Sequence, residues 1–256
     1  MMPNPEDTIK NAANLIQNSR YAVIFTGAGI SVESGIPPFR GPNGLWARHN
    51  PEFLHIRYFR RKPRQSWKMI KKIFFDFMGT ARPNAAHRAI AALEEAGCIK
   101  SVITQNIDRL HQAAGSRTVY EYHGTIGTMI CMACGLKYPS SSISLDVLPP
   151  RCPGCSGILK PDFVFFGEEI PEEVDWLARG EAENADLMLI VGTTGAVKPA
   201  SLIPFIAKRA RATLIEINTE PSAYSHNITD IFLRGRATTL LPQLTDIIAV
   251  DNVRKK

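Results

Sequence analysis

Four of the five cysteines stand in two C-x-x-C pairs, "CMAC" at 131–134 and "CPGC" at 152–155, separated by 17 residues. Each pair can form a tight knuckle that points two sulfurs at one ion, and two knuckles complete a tetrahedron. Cys131, Cys134, Cys152 and Cys155 are therefore expected to hold one structural Zn2+. With sulfur in all four positions, no place is left for a reacting water. Two disulfides are the alternative pairing. The N-terminus lacks the pattern of a signal peptide, and disulfides rarely persist in the cytoplasm expected for this chain. The fifth cysteine, Cys98, is expected to begin a buried strand as an inert core thiol.

A second stretch, "YAVIFTGAGISVESGIPPFRG" from Tyr21 to Gly41, begins as a run of β-formers and ends in Gly27-Ala28-Gly29. A glycine-rich turn after a strand can bring backbone N–H groups close to phosphate oxygens. The dinucleotide fingerprint needs a third glycine at the start of a helix. Here that position is Val32, and Pro37 and Pro38 follow shortly. The chain is expected to leave the helical path at Ile30. Further polar clusters occur in "TQNID" at 104–108, "YHGT" around His123, "GTTG" at 192–195 and "INTE" ending at 220. A lone His-Gly is usually only a turn, but a histidine titrating near 6.5 suits general base catalysis.

The elements that would position these residues follow from periodicity. Ile9, Ala12, Ala13 and Ile16 give an amphipathic helix, with Asp7 or Thr8 as its expected cap. "RPNAAHRAIAALEEAG" reads as a helix started by Pro83 or Asn84 and stopped by Gly97. "KPASLIPFIAKRA" reads as a helix with a possible kink at Pro204, and "ATTLLPQLTDIIAV" as a closing helix. Strands are expected at "YAVIFT", "IKSVITQN", "TVYEYHG", "ADLMLIVG", "ATLIEIN" and "DIFLRG". Strands alternating with helices imply an α/β fold: a Rossmann-like parallel sheet with helices on both faces. The polar clusters fall at strand ends, outside the carboxyl edge where such sheets bind ligands. The Rossmann-like domain is expected to comprise 1–44, 81–125 and 160–256. A helical module at 45–80 and a zinc ribbon at 126–159 would form a small second domain.

The chain has 256 residues, 45% of them hydrophobic, and a net charge of +6. No apolar run is long enough to cross a bilayer, so no membrane contact is expected. The excess charge is local: residues 57–72 hold eight of the 30 Lys and Arg and no acid. That segment is either a solvated basic helix face or a contact for nucleic acid or an acidic protein.

Taken together and in this order, "GAGISVESGIPPFR", "PNAAH", "TQNIDRLH", the His123-Gly pair, the two cysteine pairs, "KPDFVFFGE", "GTT" and "IN" resemble the sirtuins, the NAD-dependent protein-lysine deacylases. The resemblance covers about residues 8–245. It implies that NAD is a co-substrate and that an acyl-lysine protein or peptide is the partner. The acyl group would end on ADP-ribose, with nicotinamide and free lysine released. It implies cofactor contacts from Gly27, Ala28, Gly29, Val32, Phe39, Arg40, Gln105, Asn106, Ile107, Asp108, His123, Gly192, Thr193, Thr194 and Asn218. The loop 30–41 would cover the nicotinamide ribose, and Asp108 would hold the carboxamide. His123 would be the general base, and Val164, Phe165, Phe166 and Gly167 would pair with the substrate peptide by strand addition. Pro38 stands where the family most often has an acid. Tyr58 and Arg61 carry a spacing that acidic-acyl enzymes use, but far upstream of Asn84, so acetyl is expected over succinyl. Mono-ADP-ribosyl transfer at the same NAD site is the alternative. A zinc-ribbon nucleic-acid binder is a further one, and it leaves the strand-end motifs unexplained.

Overall fold

The computed structural model describes residues 4–39 and 44–254, and the expected contact at Arg40 lies outside them. Its strands are β1 Ala22–Thr26, β2 Ser101–Thr104, β3 Val119–Glu121, β4 Gly124–Cys131, β5 Lys137–Pro139, β6 Leu159–Phe163, β7 Leu187–Val191, β8 Thr213–Asn218 and β9 Ile231–Arg234. Its helices are α1 Pro5–Asn18, α2 Leu45–Arg48, α3 Ile56–Arg61, α4 Pro63–Ile70, α5 Ala85–Glu95, α6 Leu110–Ala114, α7 Glu172–Asn184, α8 Ile203–Arg209 and α9 Ala237–Arg254.

β1 has no exposed residue, because both faces of its sheet are covered. Ala22 and Ile24 pack into a core with α1, α5 and α9, while Val23 and Phe25 point the other way, against α7 and α8. Each fully buried aliphatic side chain of this kind contributes about 1.5–3 kcal/mol. Six parallel strands lie in the order β3-β2-β1-β7-β8-β9. The chain runs outward from β1 to β2 and β3, then returns to β7 on the other side of β1. The strand order therefore reverses between β1 and β7, and a crevice opens at their carboxyl ends. The expected α/β architecture and its sixth strand are both present.

The second sheet, β5-β4-β6, is antiparallel and runs from Gly124 to Phe163, past both ends of 126–159. Its core is shared with the helical insertion. Phe59, Trp67, Ile70 and Phe74 pack with Met129, Leu159, Phe163 and Phe165, and the Trp67 indole donates to the Leu159 carbonyl at 2.8 Å. The basic segment is amphipathic. Phe59, Trp67 and Ile70 point inward, and Arg57, Arg60, Arg61, Lys62, Arg64, Lys68 and Lys72 are exposed. No helix among the described residues is long and apolar enough to cross a membrane.

Several local expectations need correction. Asn4, not Asp7 or Thr8, caps α1, accepting the Glu6 N–H with Pro5 in the first turn, where a missing N–H costs nothing. Pro204 opens α8 for the same reason and does not kink it. Cys98 lies half-buried in the turn before β2, not within the strand, and burial raises its thiol pKa. Ala28–Ser34 is a 3-10 helix, so the chain stays helical past Ile30. Gly35, at φ 88°, ends that helix in the left-handed region, and only then, at Ile36–Pro38, does the chain leave the helical path.

Candidate active site and metal centre

Gly27 and Gly29 bring β1 against the end of β7. The Gly27 N–H donates to Val191 at 3.0 Å and the Gly29 N–H to Gly192 at 2.8 Å. A Cβ on Gly29 would lie 2.7 Å from both the Gly192 Cα and carbonyl oxygen, so no larger residue fits. The two glycine amides are thus spent on joining the strands. At the start of the 3-10 helix the Ile30 N–H is also taken, by the Gly27 carbonyl, and the Ala28 N–H is the one without an acceptor among the described residues. Glu33 near the end of that helix pairs with Arg236 at 2.9 Å and accepts from Thr238, fastening it to α9.

The far end of the same segment is held from below. Ser31 is buried and donates to Asp108 at 2.7 Å, and Asn106 donates to Ser31 at 3.1 Å and to the Gly27 carbonyl at 3.2 Å. Asn84, which caps α5, also donates to the Ile30 carbonyl at 2.8 Å. Asp108 accepts a second bond from the Leu110 N–H at 2.9 Å. Burial raises its pKa, and these donors oppose the rise. Its carboxyl braces Ser31 and the first turn of α6, next to Gln105, Asn106 and Ile107, which line the cavity.

Together these elements bound one open cavity of about 1350 Å³. Gly27, Ala28, Gly29 and Val32 form its floor, and Gly192, Thr193, Thr194 and Asn218 its far end. The Asn218 amide donates to the Thr193 carbonyl at 2.9 Å, and the Gln105 amide to the Thr193 hydroxyl at 3.0 Å. Phe39 closes the near side, its ring 5.4 Å from that of Trp46. Pro38 joins the same wall, and its carbonyl accepts the Leu45 N–H at 2.8 Å.

His123 follows β3, where the large sheet hands over to the small domain. Its Nδ1 lies 3.0 Å from the Gln105 carbonyl, which can only accept, so Nδ1 carries the proton. The Nε2 lone pair is left for the cavity that His123 lines. Burial lowers the imidazole pKa, partly opposed by the bond to Gln105, and so keeps the ring neutral near pH 7. Beside it, Tyr122 is fully buried and donates to Asp175, which pairs with Arg179 at 2.7 Å. His87 and His111 are buried with ring centres 5.0 Å apart.

Val164, Phe165, Phe166 and Gly167 form the cavity rim opposite the strand ends. Val164 donates to the His123 carbonyl at 2.9 Å. Phe166 is bonded through both its N–H and its C=O, to Leu54 and Ile56, so strand addition would have to use the Val164 carbonyl and Gly167. Phe165 is in the core, while Phe166 is exposed. Arg61 lies exposed in the last turn of α3, and the wall near His123 is apolar, with Phe74, Ile107 and Phe163.

The four paired cysteines converge, all their sulfurs lying within 4.8 Å of one another. The Cys131–Cys155 and Cys134–Cys152 pairs are 3.5 and 3.8 Å apart. Tetrahedral zinc with Zn–S near 2.3 Å needs sulfurs about 3.8 Å apart, so the donor set fits the ion. The Tyr138 hydroxyl, 3.3 Å from the Cys152 sulfur, pulls that thiol down to about 6.

Sequence reasoning did not single out Ser31, the Glu33–Arg236 pair or Tyr122–Asp175. Ser31 had a signal, a hydroxyl inside the turn motif. The other two join residues distant in sequence, which no local pattern reveals.

Comparison with known proteins agrees with this arrangement. Residues 27–199 match the model of the Sir2 family. The NAD-dependent protein deacylase 2 of Pyrobaculum aerophilum is 48% identical over 241 residues, covering 92% of this chain and 94% of that protein. A mutant Sir2 homologue solved with ADP-ribose has a TM-score of 0.91 at 37% identity, covering 95% of this chain and 97% of that one. A Sir2 solved with a p53 peptide and NAD+ has a TM-score of 0.85 at 35% identity, covering 94% and 99%.

Proposed function

The chain belongs to the Sir2 family, and on that premise we propose that it is an NAD-dependent protein-lysine deacylase with His123 as its general base. The observation that carries this reading is the meeting of three things in one cavity: the glycine-joined strand ends, a neutral histidine with Nε2 free, and the 164–167 rim. NAD, as co-substrate, supplies an electrophilic ribose carbon, a nicotinamide leaving group and the ribose hydroxyl that receives the acyl group. The start of the 3-10 helix suits the pyrophosphate, and Thr193, Thr194 and Asn218 suit the adenosine half. Gln105, Asn106, Ile107 and Asp108 suit the nicotinamide, with Asp108 bonded to Ser31 and proposed to hold the carboxamide. His123 Nε2 is placed to take a proton from a hydroxyl in the cavity. Phe39, Phe74 and Phe163 keep the neighbouring space apolar and dry. The four thiolates hold zinc as a structural ion. Unbridged thiols are in keeping with a cytoplasmic enzyme.

Mass spectrometry of the products tests the reaction. An acyl-ADP-ribose together with free lysine supports deacylation. An ADP-ribosylated protein without acyl loss would indicate transfer to another nucleophile. Because Phe74, Ile107 and Phe163 make that part of the cavity wall apolar, acetyl-lysine should turn over faster than succinyl-lysine in the same assay. The exposed basic face of α3 and α4 is read as a surface for an acidic partner, and strongly salt-dependent nucleic-acid binding would identify that partner.

A further inference from the structure

The segment "KPDFVFFGE" begins and ends on charged residues, Lys160 and Glu168, to which the cavity gives no chemical task. Lys160 is 5% exposed. Burying an ammonium to that degree costs several kcal/mol unless it is paired and fully bonded. Its Nζ donates to the Phe163 carbonyl at 2.7 Å and to Glu168 Oε2 at 2.9 Å, and sits 4.2 Å from the centre of the Phe165 ring. The same Oε2 accepts the Phe165 N–H at 2.8 Å, and the Glu168 N–H returns to the Phe165 carbonyl at 3.0 Å. The ion pair thus lies inside the loop it closes and bonds that loop's backbone from within. The loop in turn reaches His123 through the Val164 N–H and the helical module through Phe166.

From this geometry we propose that Lys160 and Glu168 are positioning residues for the substrate peptide. Their pair, with the ammonium buried and the carboxylate largely so, fixes the one loop shape in which the Val164 carbonyl and the Gly167 backbone groups are left to an extended acyl-lysine segment. The inference rests on the deacylase reading above. An apolar pair could fill the same volume, but it could not bond the Phe163 carbonyl and the Phe165 amide together. The ion pair therefore serves conformation more than stability.

Steady-state kinetics with Lys160→Met and Glu168→Gln test this. The first removes the ammonium at similar length, and the second removes only the carboxylate's charge. In both, KM for an acetyl-lysine peptide should rise on the order of tenfold while KM for NAD stays within about twofold of wild type. The double variant should be no worse than Lys160→Met, because the two residues act as a unit. Amide exchange at Phe165 and Phe166 should quicken under conditions where global exchange does not. An unchanged peptide KM in a folded variant, or equal rises in both KM values, would overturn the proposal. If Lys160→Met does not fold, Glu168→Gln decides alone. Failure of the wild-type enzyme to release nicotinamide would count against the deacylase reading itself, a result distinct from unchanged variants of an active enzyme.

Discussion

At one end of the cleft, Gly29 meets Gly192 backbone to backbone, and the strands that carry them are covered by helices on both faces. At the other end, the 163–168 loop and the ribbon beneath it depend on a buried ion pair, aromatic packing and four cysteine thiols. The first end is built from close approach and tolerates no added atom. The second is built from charges and a metal centre, so its shape can be lost by removing one ligand or one partner. Deacylation needs both: a fixed cradle for the cofactor and a rim that accepts varied peptides.

The sharpest way to break this contrast is to remove the ion. Cys155→Ser, or chelation of the wild type, should destabilise the small domain by about 3 kcal/mol or more, since the site's binding energy is folding energy. The parallel sheet should persist. Thermal unfolding followed by circular dichroism and tryptophan fluorescence should then show two transitions, with the Trp67 signal moving first. A single unchanged transition would mean that the cysteines do not support the small domain. Next in size is Gly29→Ala. With 2.7 Å to Gly192 there is no room for the methyl group, and displacement of the cofactor cradle by even 1 Å should cost roughly a hundredfold in turnover. Zinc content should be unaffected, which separates the two ends.

The smaller effect concerns the base of the cradle. Burial lowers His87 to about 4 and, with the charge of His87 added, His111 to about 3. The His87 Nε2 and His111 Nδ1 atoms have no protein partner among the described residues. Both rings are neutral when folded, while the unfolded chain titrates near 6.5, so acid favours the unfolded state. This contribution is complete above about pH 6.5 and falls as pH drops toward 4. At pH 5 each histidine removes about 2 kcal/mol, and the raised Asp108 pKa pulls the other way. Urea midpoints measured at pH 7 and pH 5 should show the loss, and His111→Gln should roughly halve it. An equal acid loss in that variant would locate the sensitivity elsewhere.

The sheet was legible because its strands are unbroken apolar runs such as "LMLIV", and the metal centre because cysteine spacing is a local pattern. The cavity lining was legible where motifs end strands. What could not be read is how a residue depends on its neighbours. Asp108 lies in a motif, but its burial against Ser31 is set by the packing of α6. Glu33 and Arg236 are 203 residues apart, and nothing in either segment announces the other. The helical course of Ala28–Ser34 was hidden by the missing third glycine, since a 3-10 helix does not need one. Nothing local marks Lys160 as buried; β6 and the loop after it close around it.

The central claim is that His123 supplies the base in a cavity shared by NAD and an acyl-lysine peptide. The direct measurement is nicotinamide release from NAD with an acetyl-lysine peptide, comparing wild type with His123→Ala. The account predicts peptide-dependent release by wild type and formation of the deacylated peptide reduced by roughly 10²–10⁴ in the variant. It also predicts that the acid limb of wild-type kcat/KM lies below pH 6.5, since burial lowers the His123 pKa. Peptide deacylation by folded, zinc-loaded His123→Ala at the wild-type rate would contradict it.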